Sequence, residues 1–202
     1  MLTSAVPAYV LGGVNGAIIT SRLIYRKDIR EYGSGNPGLN NFYRVYGKGG
    51  ALLVVAIDVF KTIAPVLLGG WAFRRYNDME LFGQAVSGFF VMLGHCFPVF
   101  YKFKGGKGVM AAGAIFIVLD WRIAILSWGT FIIITALTRY VSLGAMIGAA
   151  LFPPAMLAFG IGGFYEVAAV AVCAVLLIMR HQSNIRRLLD GKESKFSFRR
   201  SK

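Results

Sequence analysis

The chain has 202 residues, 56% of them hydrophobic and 15% charged, with a formal net charge of +13. Soluble domains carry roughly 25% charged residues, so this composition excludes a soluble globular domain and indicates an integral membrane protein. In that setting basic loops orient the chain and attract anionic lipid, and with no helix-turn-helix or RNA-binding pattern present, nucleic acid is not an expected partner.

Residues 2–21 form a first apolar span, interrupted by Gly12, Gly13, Asn15 and Gly16, small residues that suit close helix packing in a membrane. No Lys or Arg precedes it, so a cleavable signal peptide is not expected. Residues 22–49 are polar and basic. Within them, Gly33-Ser34-Gly35-Asn36-Pro37-Gly38-Leu39-Asn40-Asn41 matches the letters GxGxxG, but no strand precedes it and the dinucleotide reading fails. What remains is a Gly-rich turn with amide and hydroxyl donors beside Arg44, suited to an oxyanion or simply a tight polar loop.

Residues 50–71 form a second span that carries Asp58 and Lys61, three apart and therefore on one helix face. Either the two form a structural pair buried in the bundle, or Lys61 reaches an anion while Asp58 fixes it. Residues 72–83 read as a short polar loop. Residues 84–101 form a third span ending in Phe97-Pro98-Val99-Phe100-Tyr101.

Lys104-Gly105-Gly106-Lys107-Gly108 then stands directly before the apolar run Val109–Leu119. A helix starting there would aim its free N–H groups and positive dipole end back at the loop. The glycines allow close approach of an anion, and Lys104 and Lys107 add full charge. The loop lacks Walker A spacing, and it reads as a phosphate cradle or as a plain cytoplasmic turn.

Residues 109–137 are either one helix or two. Val109–Leu119 alone covers only about 16 Å, against a hydrocarbon core of about 30 Å, which favours one helix. A single helix, however, would hold Asp120 and Arg122 at mid-membrane, at a cost of roughly 2.5–3.5 kcal/mol each. A turn at 120–122 leaves only Arg74, Arg75 and Arg122 on the outside and puts the remaining loop and tail cations inside. The sequence therefore predicts a single domain, 1–202, of all-α class. It has seven transmembrane helices, some short, with the N-terminus out and the C-terminus in. The Lys104–Gly108 loop is then sunk into the bilayer, where non-helical backbone is tolerated only beside a polar cavity.

Residues 141–160 are expected as a sixth span kinked at Pro153-Pro154, and 164–179 as a seventh, followed by a basic tail. Cys96 and Cys173 lie in apolar runs and read as core residues. His95 and His181 have no second ligand at i+3 or i+4, so no metal is expected. Thr138-Arg139-Tyr140-Val141-Ser142 falls on the inside face, where Arg139 either marks the boundary or joins the site. Ser34, Asn36, Asn41, Arg44, Lys104, Lys107, Arg139, His181 and Asn184 thus share one side, and most are donors or cations. Such a set binds more than one phosphate-like group and does not look like a carboxylate-dyad or metal hydrolase.

These motifs resemble a known family, the bacterial acyl-phosphate:glycerol-3-phosphate acyltransferases of the PlsY type. The resemblance covers nearly the whole chain. It rests on Ser34-Gly35-Asn36…Gly38…Asn41…Arg44, Asp58…Lys61, Gly94-His95…Phe97-Pro98 and Lys104 to Val109. It continues through Arg139-Tyr140-Val141-Ser142-Leu143, His181…Asn184-Ile185…Arg187-Leu188 and Gly191…Glu193. It implies acyl transfer from acyl phosphate to the 1-hydroxyl of glycerol-3-phosphate, giving lysophosphatidic acid, the first acylation of phospholipid synthesis. The active site would face the cytoplasm from the bacterial inner membrane. No cofactor is implied, and a soluble enzyme supplying acyl phosphate is an implied partner. Lys104, Ser34, Arg44, Ser142, His181 and Asn184 would be catalytic. Asn36, Gly38, Asn41, Lys61, Gly105, Gly106, Lys107, Gly108, Arg139 and Glu193 would bind substrate. By the same resemblance, the donor's own phosphate takes the proton and no acyl-enzyme forms. The chain departs from the family pattern at Asn40, where Thr is common, at Thr62, where Gly is usual, and at Met110-Ala111, where Ala-Thr is expected. An anion transporter is the alternative from another class, but the outside half offers only three cations to line a path. A metal-dependent transferase of the CDP-alcohol type would need clustered aspartates, and these are dispersed.

Overall fold

The structure, a computed structural model, describes residues 2–196. The tail cations Arg199, Arg200 and Lys202 lie outside the described residues. In chain order the helices are α1 (Leu2–Gly12), α2 (Gly16–Tyr25), α3 (Leu39–Tyr46), α4 (Ala51–Asn77), α5 (Glu80–Cys96), α6 (Val109–Leu119), α7 (Trp121–Thr138), α8 (Val141–Ala158), α9 (Phe164–Arg180) and α10 (Gln182–Leu189). Among the described residues four helices, α4, α5, α7 and α8, are long and apolar enough to cross a membrane. A fifth results if α9 and α10, which meet at a 56° bend, count as one span.

The first apolar run is two helices rather than one. Asn15 ends the break between them by capping α2: its Oδ1 accepts from Ile18 N at 2.9 Å. Its Nδ2 donates to Pro37 O at 3.0 Å, which ties the break to the Gly-rich loop. The stretch 72–83, expected as a loop, is helical on both sides of a short break at Asp78-Met79. Asp78 adopts a left-handed φ of 54° that closes α4, and Phe73 on one side packs edge-on against Phe82 on the other, with ring centroids 5.5 Å apart. Polar composition alone did not reveal that aromatic contact.

The turn at Asp120 is present. Its Oδ1 accepts from Arg122 N (2.9 Å) and Ile123 N (3.1 Å), capping α7, and its carboxylate pairs with Arg122 at 2.8 Å. Cap and ion pair together explain why an otherwise continuous apolar run divides there. α8 continues as helix through Pro153 and Pro154.

The core lies where α5, α6, α8 and α9 meet, with Phe116 and Phe152 stacked at 3.9 Å. Around it, large apolar side chains point outward, among them Leu52, Phe60, Leu68, Trp71, Ile125, Ile133 and Leu137. Such a surface is satisfied by lipid rather than water.

Small residues set the tightest crossings, as expected for helices that lack a hydrophobic drive toward each other inside a bilayer. A Cβ on Gly94 of α5 would strike Tyr9 O and come within 2.9 Å of Gly13 N, both backbone atoms of the α1 region. Gly94→Ala should therefore destabilise the fold by about 1–3 kcal/mol, read as a lower Tm in detergent. Gly129→Ala, whose added Cβ meets nothing within 4 Å, should not lower it.

Candidate active site

The loop between α5 and α6 is held from behind. Gly106 N donates to His95 O at 3.1 Å. Arg180, at the end of α9, donates from Nε to Gly106 O at 3.2 Å and from Nη2 to Gly105 O at 3.0 Å, and its guanidinium lies over the Phe97 ring. Gly108 then takes φ +85°, and a Cβ there would collide with Met92. With the loop so fixed, the N–H groups of Lys107, Gly108, Val109 and Met110 find no acceptor among the described residues. They stand at the start of α6 and border a cavity of about 230 Å³. Orphan amides at a helix N-terminus are an anion site.

Three other segments supply most of its polar wall. The first is the Gly-rich loop and α3, which bring Ser34, Asn36, Gly38, Asn41 and Arg44. Asn41 organises this loop: its Oδ1 accepts from Ser34 N at 2.9 Å and its Nδ2 donates to Tyr32 O at 3.0 Å. The second is α8, whose first turn supplies Ser142, and the third is the tail, with His181, Asn184, Arg187, Glu193 and Ser194.

Glu193 joins these segments. One carboxylate oxygen accepts from Ser142 Oγ and from Asn184 Nδ2, each at 2.6 Å, and the other accepts from Arg187 Nε at 2.7 Å. Burial pushes its carboxyl up, but the bonds from Ser142, Asn184 and Arg187 outweigh that and hold it below the usual range. Arg44 Nη2 donates to Ser194 Oγ at 3.0 Å. Lys107 Nζ donates to Asn184 Oδ1 at 2.5 Å. Burial first, and the nearby Arg187 second, pull the Lys107 amine down to about 8. His181 Nδ1 lies 2.8 Å from Leu177 O; a carbonyl only accepts, so Nδ1 carries the proton and Nε2 presents a lone pair.

A second, outer basin of about 760 Å³ shares Ser34, Asn36, Lys107 and Arg187 with the first and adds Lys104, Gly105, Arg30 and Arg180. Lys104 therefore faces this basin rather than the inner cavity. On its wall Asp28 is held well below the usual carboxylate range, chiefly by the Arg30 side chain. On the opposite flank a narrow apolar crevice between α6, α7 and α8 shares Val109, Trp128, Phe131 and Ala145 with the inner cavity and runs on past Gly113, Phe116 and Gly148. Ser127, the hydroxyl on its wall, is committed to Gly148 O at 2.6 Å.

Most of the residues singled out from sequence thus meet around the two basins. Three do not reach them. Lys61 is buried in an ion pair with Asp58 at 2.8 Å, the structural member of the two readings given above. Arg139 is exposed and in a left-handed conformation that ends α7, and its carbonyl accepts from Phe196 N at 2.7 Å. Gly106 sits behind the loop on Arg180. Sequence reasoning missed His95, Arg180, Arg187 and Ser194 as parts of the site. His95 stands two residues before the Phe97-Pro98 turn into the loop, a position that could have drawn notice. Nothing in the pattern around Arg180 separates it from the other tail cations.

A family model described as glycerol-3-phosphate acyltransferase matches residues 2–191. The chain is similar to the glycerol-3-phosphate acyltransferase of Ralstonia pickettii, with 40% identity over 95% of this chain and 91% of that one. It is also similar to that of Photobacterium profundum, with 35% identity over 96% and 92%. Among solved structures it resembles PlsY, an integral membrane glycerol 3-phosphate acyltransferase. The glycerol 3-phosphate form superposes with a TM-score of 0.88 and 31% identity over 97% of this chain and 95% of that one. The lysophosphatidic acid form gives 0.86 and 29% over 98% and 95%.

Two outcomes follow from the geometry. Lys107 is charged below its lowered pKa and neutral above it. Inorganic phosphate should therefore bind several-fold more weakly as pH rises from about 7.5 to 9, and Lys107→Arg should remove that dependence in titration calorimetry. Glu193→Gln should cost about ten- to a hundredfold in turnover, because Arg187 loses its charge partner and Ser142 and Asn184 lose a shared charged acceptor.

Proposed function

Because this chain belongs to the glycerol-3-phosphate acyltransferase family, we propose that its acyl donor is acyl phosphate and its product lysophosphatidic acid, with inorganic phosphate released. The observation that carries this reading is the junction of two unlike surfaces: orphan amides suited to a phosphate meet an apolar crevice at Val109. An acyl phosphate has that same division, an anionic head on a hydrocarbon tail.

In this reading the amides of Lys107, Gly108, Val109 and Met110, with Lys107 itself, hold the donor's phosphate, and the acyl chain follows the crevice past Trp128 and Phe131. Ser34, Asn36, Arg44, Ser142 and Asn184 bind the phosphate of glycerol-3-phosphate. Lys104 gathers both anions in the outer basin. The lone pair on His181 Nε2 accepts from a glycerol hydroxyl and orients it. The 1-hydroxyl oxygen attacks the acyl carbon, the bond from that carbon to the phosphate oxygen breaks, and the hydroxyl proton ends on the departing phosphate. Cations and amides aimed at the carbonyl and the leaving group stabilise the charge that develops there. Asp58 and Glu193, the carboxylates that border the inner cavity, are both committed to cations or amides, so neither acts as the base.

The site opens to the cytoplasm in this reading, from a single domain in the bacterial inner membrane with seven spans, the N-terminus out and the C-terminus in. The distribution of Lys and Arg supports that orientation, and the broken α1–α2 pair and short α6 supply the spans beyond the long helices. A soluble enzyme that makes acyl phosphate would be its partner.

Purified protein in lipid, given acyl phosphate and glycerol-3-phosphate without metal or coenzyme A, should release phosphate in step with lysophosphatidate. Lys104→Ala should abolish this while the protein keeps its Tm. Turnover with acyl-CoA and none with acyl phosphate would overturn the donor assignment.

A further inference from the structure

His95 and Lys61 are buried side by side beneath the loop, 4% exposed each, and the reaction described above uses neither. The Lys61 amine has three neighbours: Asp58 Oδ1 at 2.8 Å, Val14 O in the break between α1 and α2, and His95 Nδ1 at 2.9 Å. An ammonium has three N–H bonds and no lone pair. The carboxylate and the carbonyl take two of them. The third points at Nδ1, which must then present its own lone pair. In a neutral imidazole the ring proton is therefore on Nε2.

Nε2 faces the loop. It sits so close to Gly106 that a Cβ there would run into it, and it has no acceptor among the described residues. The ring borders the inner cavity beside Lys107 and Gly108. Asp58 is itself anchored, accepting from Gly16 N at 3.1 Å, so the assembly is tied to the start of α2. The charged groups acting on the ring are Lys61 and Asp58 from α4 and Arg180 from α9.

We propose that His95 is a further substrate-contacting residue, donating from Nε2–H to an oxygen of the phosphate held by the loop, and that Lys61 is the positioning residue that fixes this tautomer. The identity of the phosphate rests on the acyl-transfer reading; the tautomer does not. The two histidines then face the cavity with opposite polarity, a donor at the phosphate loop and an acceptor at His181.

The test is side-chain nitrogen NMR of protein labelled at its two histidines, in lipid nanodiscs, with inorganic phosphate as the probe. The wild-type spectrum should show His95 protonated at Nε2 and bare at Nδ1, and phosphate should shift its Nε2 resonance. In Asp58→Asn/Lys61→Met, which removes both buried charges together, the fixed tautomer and the phosphate response should be lost. His95→Gln, which keeps an N–H near the Nε2 position, should retain about ten- to a hundredfold more acyl transfer than His95→Leu at matched Tm. A wild-type His95 protonated at Nδ1, or a phosphate titration that moves His181 but not His95, would overturn the proposal. An Nε2–H that responds to phosphate in protein devoid of acyl transfer would keep this inference and sink the functional reading instead.

Discussion

A row of backbone amides with no acceptor among the described residues, at the start of a short helix inside an apolar bundle, is the constraint on which the rest depends. Each such group left dry would cost on the order of 1–3 kcal/mol. The chain nevertheless goes to some length to keep them open. Arg180 takes the carbonyls of Gly105 and Gly106, His95 takes the Gly106 N–H, and Gly108 turns into a conformation whose side-chain space is filled by Met92. The bonds from Arg180 and to His95 thus fix the loop from one side while these amides remain available. The close α1–α5 crossing at Gly94 serves the same end, since His95 is the next residue along α5.

The carboxylates are distributed with equal economy. Asp58 neutralises Lys61 and caps the start of α2, and Glu193 draws Ser142, Asn184 and Arg187 into one array. Neither is left over to repel an anion or to act alone as a base. The result is a cavity whose field is positive although its nearest charges are largely paired. Arg44 and Lys107 lean on neutral oxygens of Ser194 and Asn184, contacts that an incoming phosphate can replace without stranding a counter-charge.

Much of this was legible in the sequence, because it depends on local grammar. The glycines and lysines before Val109, the polar turn at Asp120 and the apolar lengths of the long helices are all short-range signals. Whether Lys61 would face the cavity or the bundle was not legible, because i, i+3 spacing puts Asp58 and Lys61 on one face without saying what that face meets. The helical nature of 72–83 depends on a Phe73–Phe82 contact across a break. The part of Arg180 appears only where the end of α9 meets the loop 74 positions earlier, and the bonds that Glu193 makes appear only where the tail meets the start of α8, 51 positions earlier. Arg139 looked like its neighbours in composition, and a left-handed helix end turned it away.

The brevity of α6 has an electrical consequence. Its 11 residues rise about 16 Å from the Asp120–Arg122 pair. In the proposed seven-span topology that pair sits at one membrane face, and the amides at Gly108 lie roughly 14 Å short of the other face of a hydrocarbon layer of about 30 Å. An ion held there has crossed part of the voltage drop, which is worth about 2.3 kcal/mol per elementary charge per 100 mV over the full thickness. In the proposed topology, with the donor's phosphate on the loop, its binding would thereby be coupled to the membrane potential, a link that no soluble enzyme handling the same anion would possess.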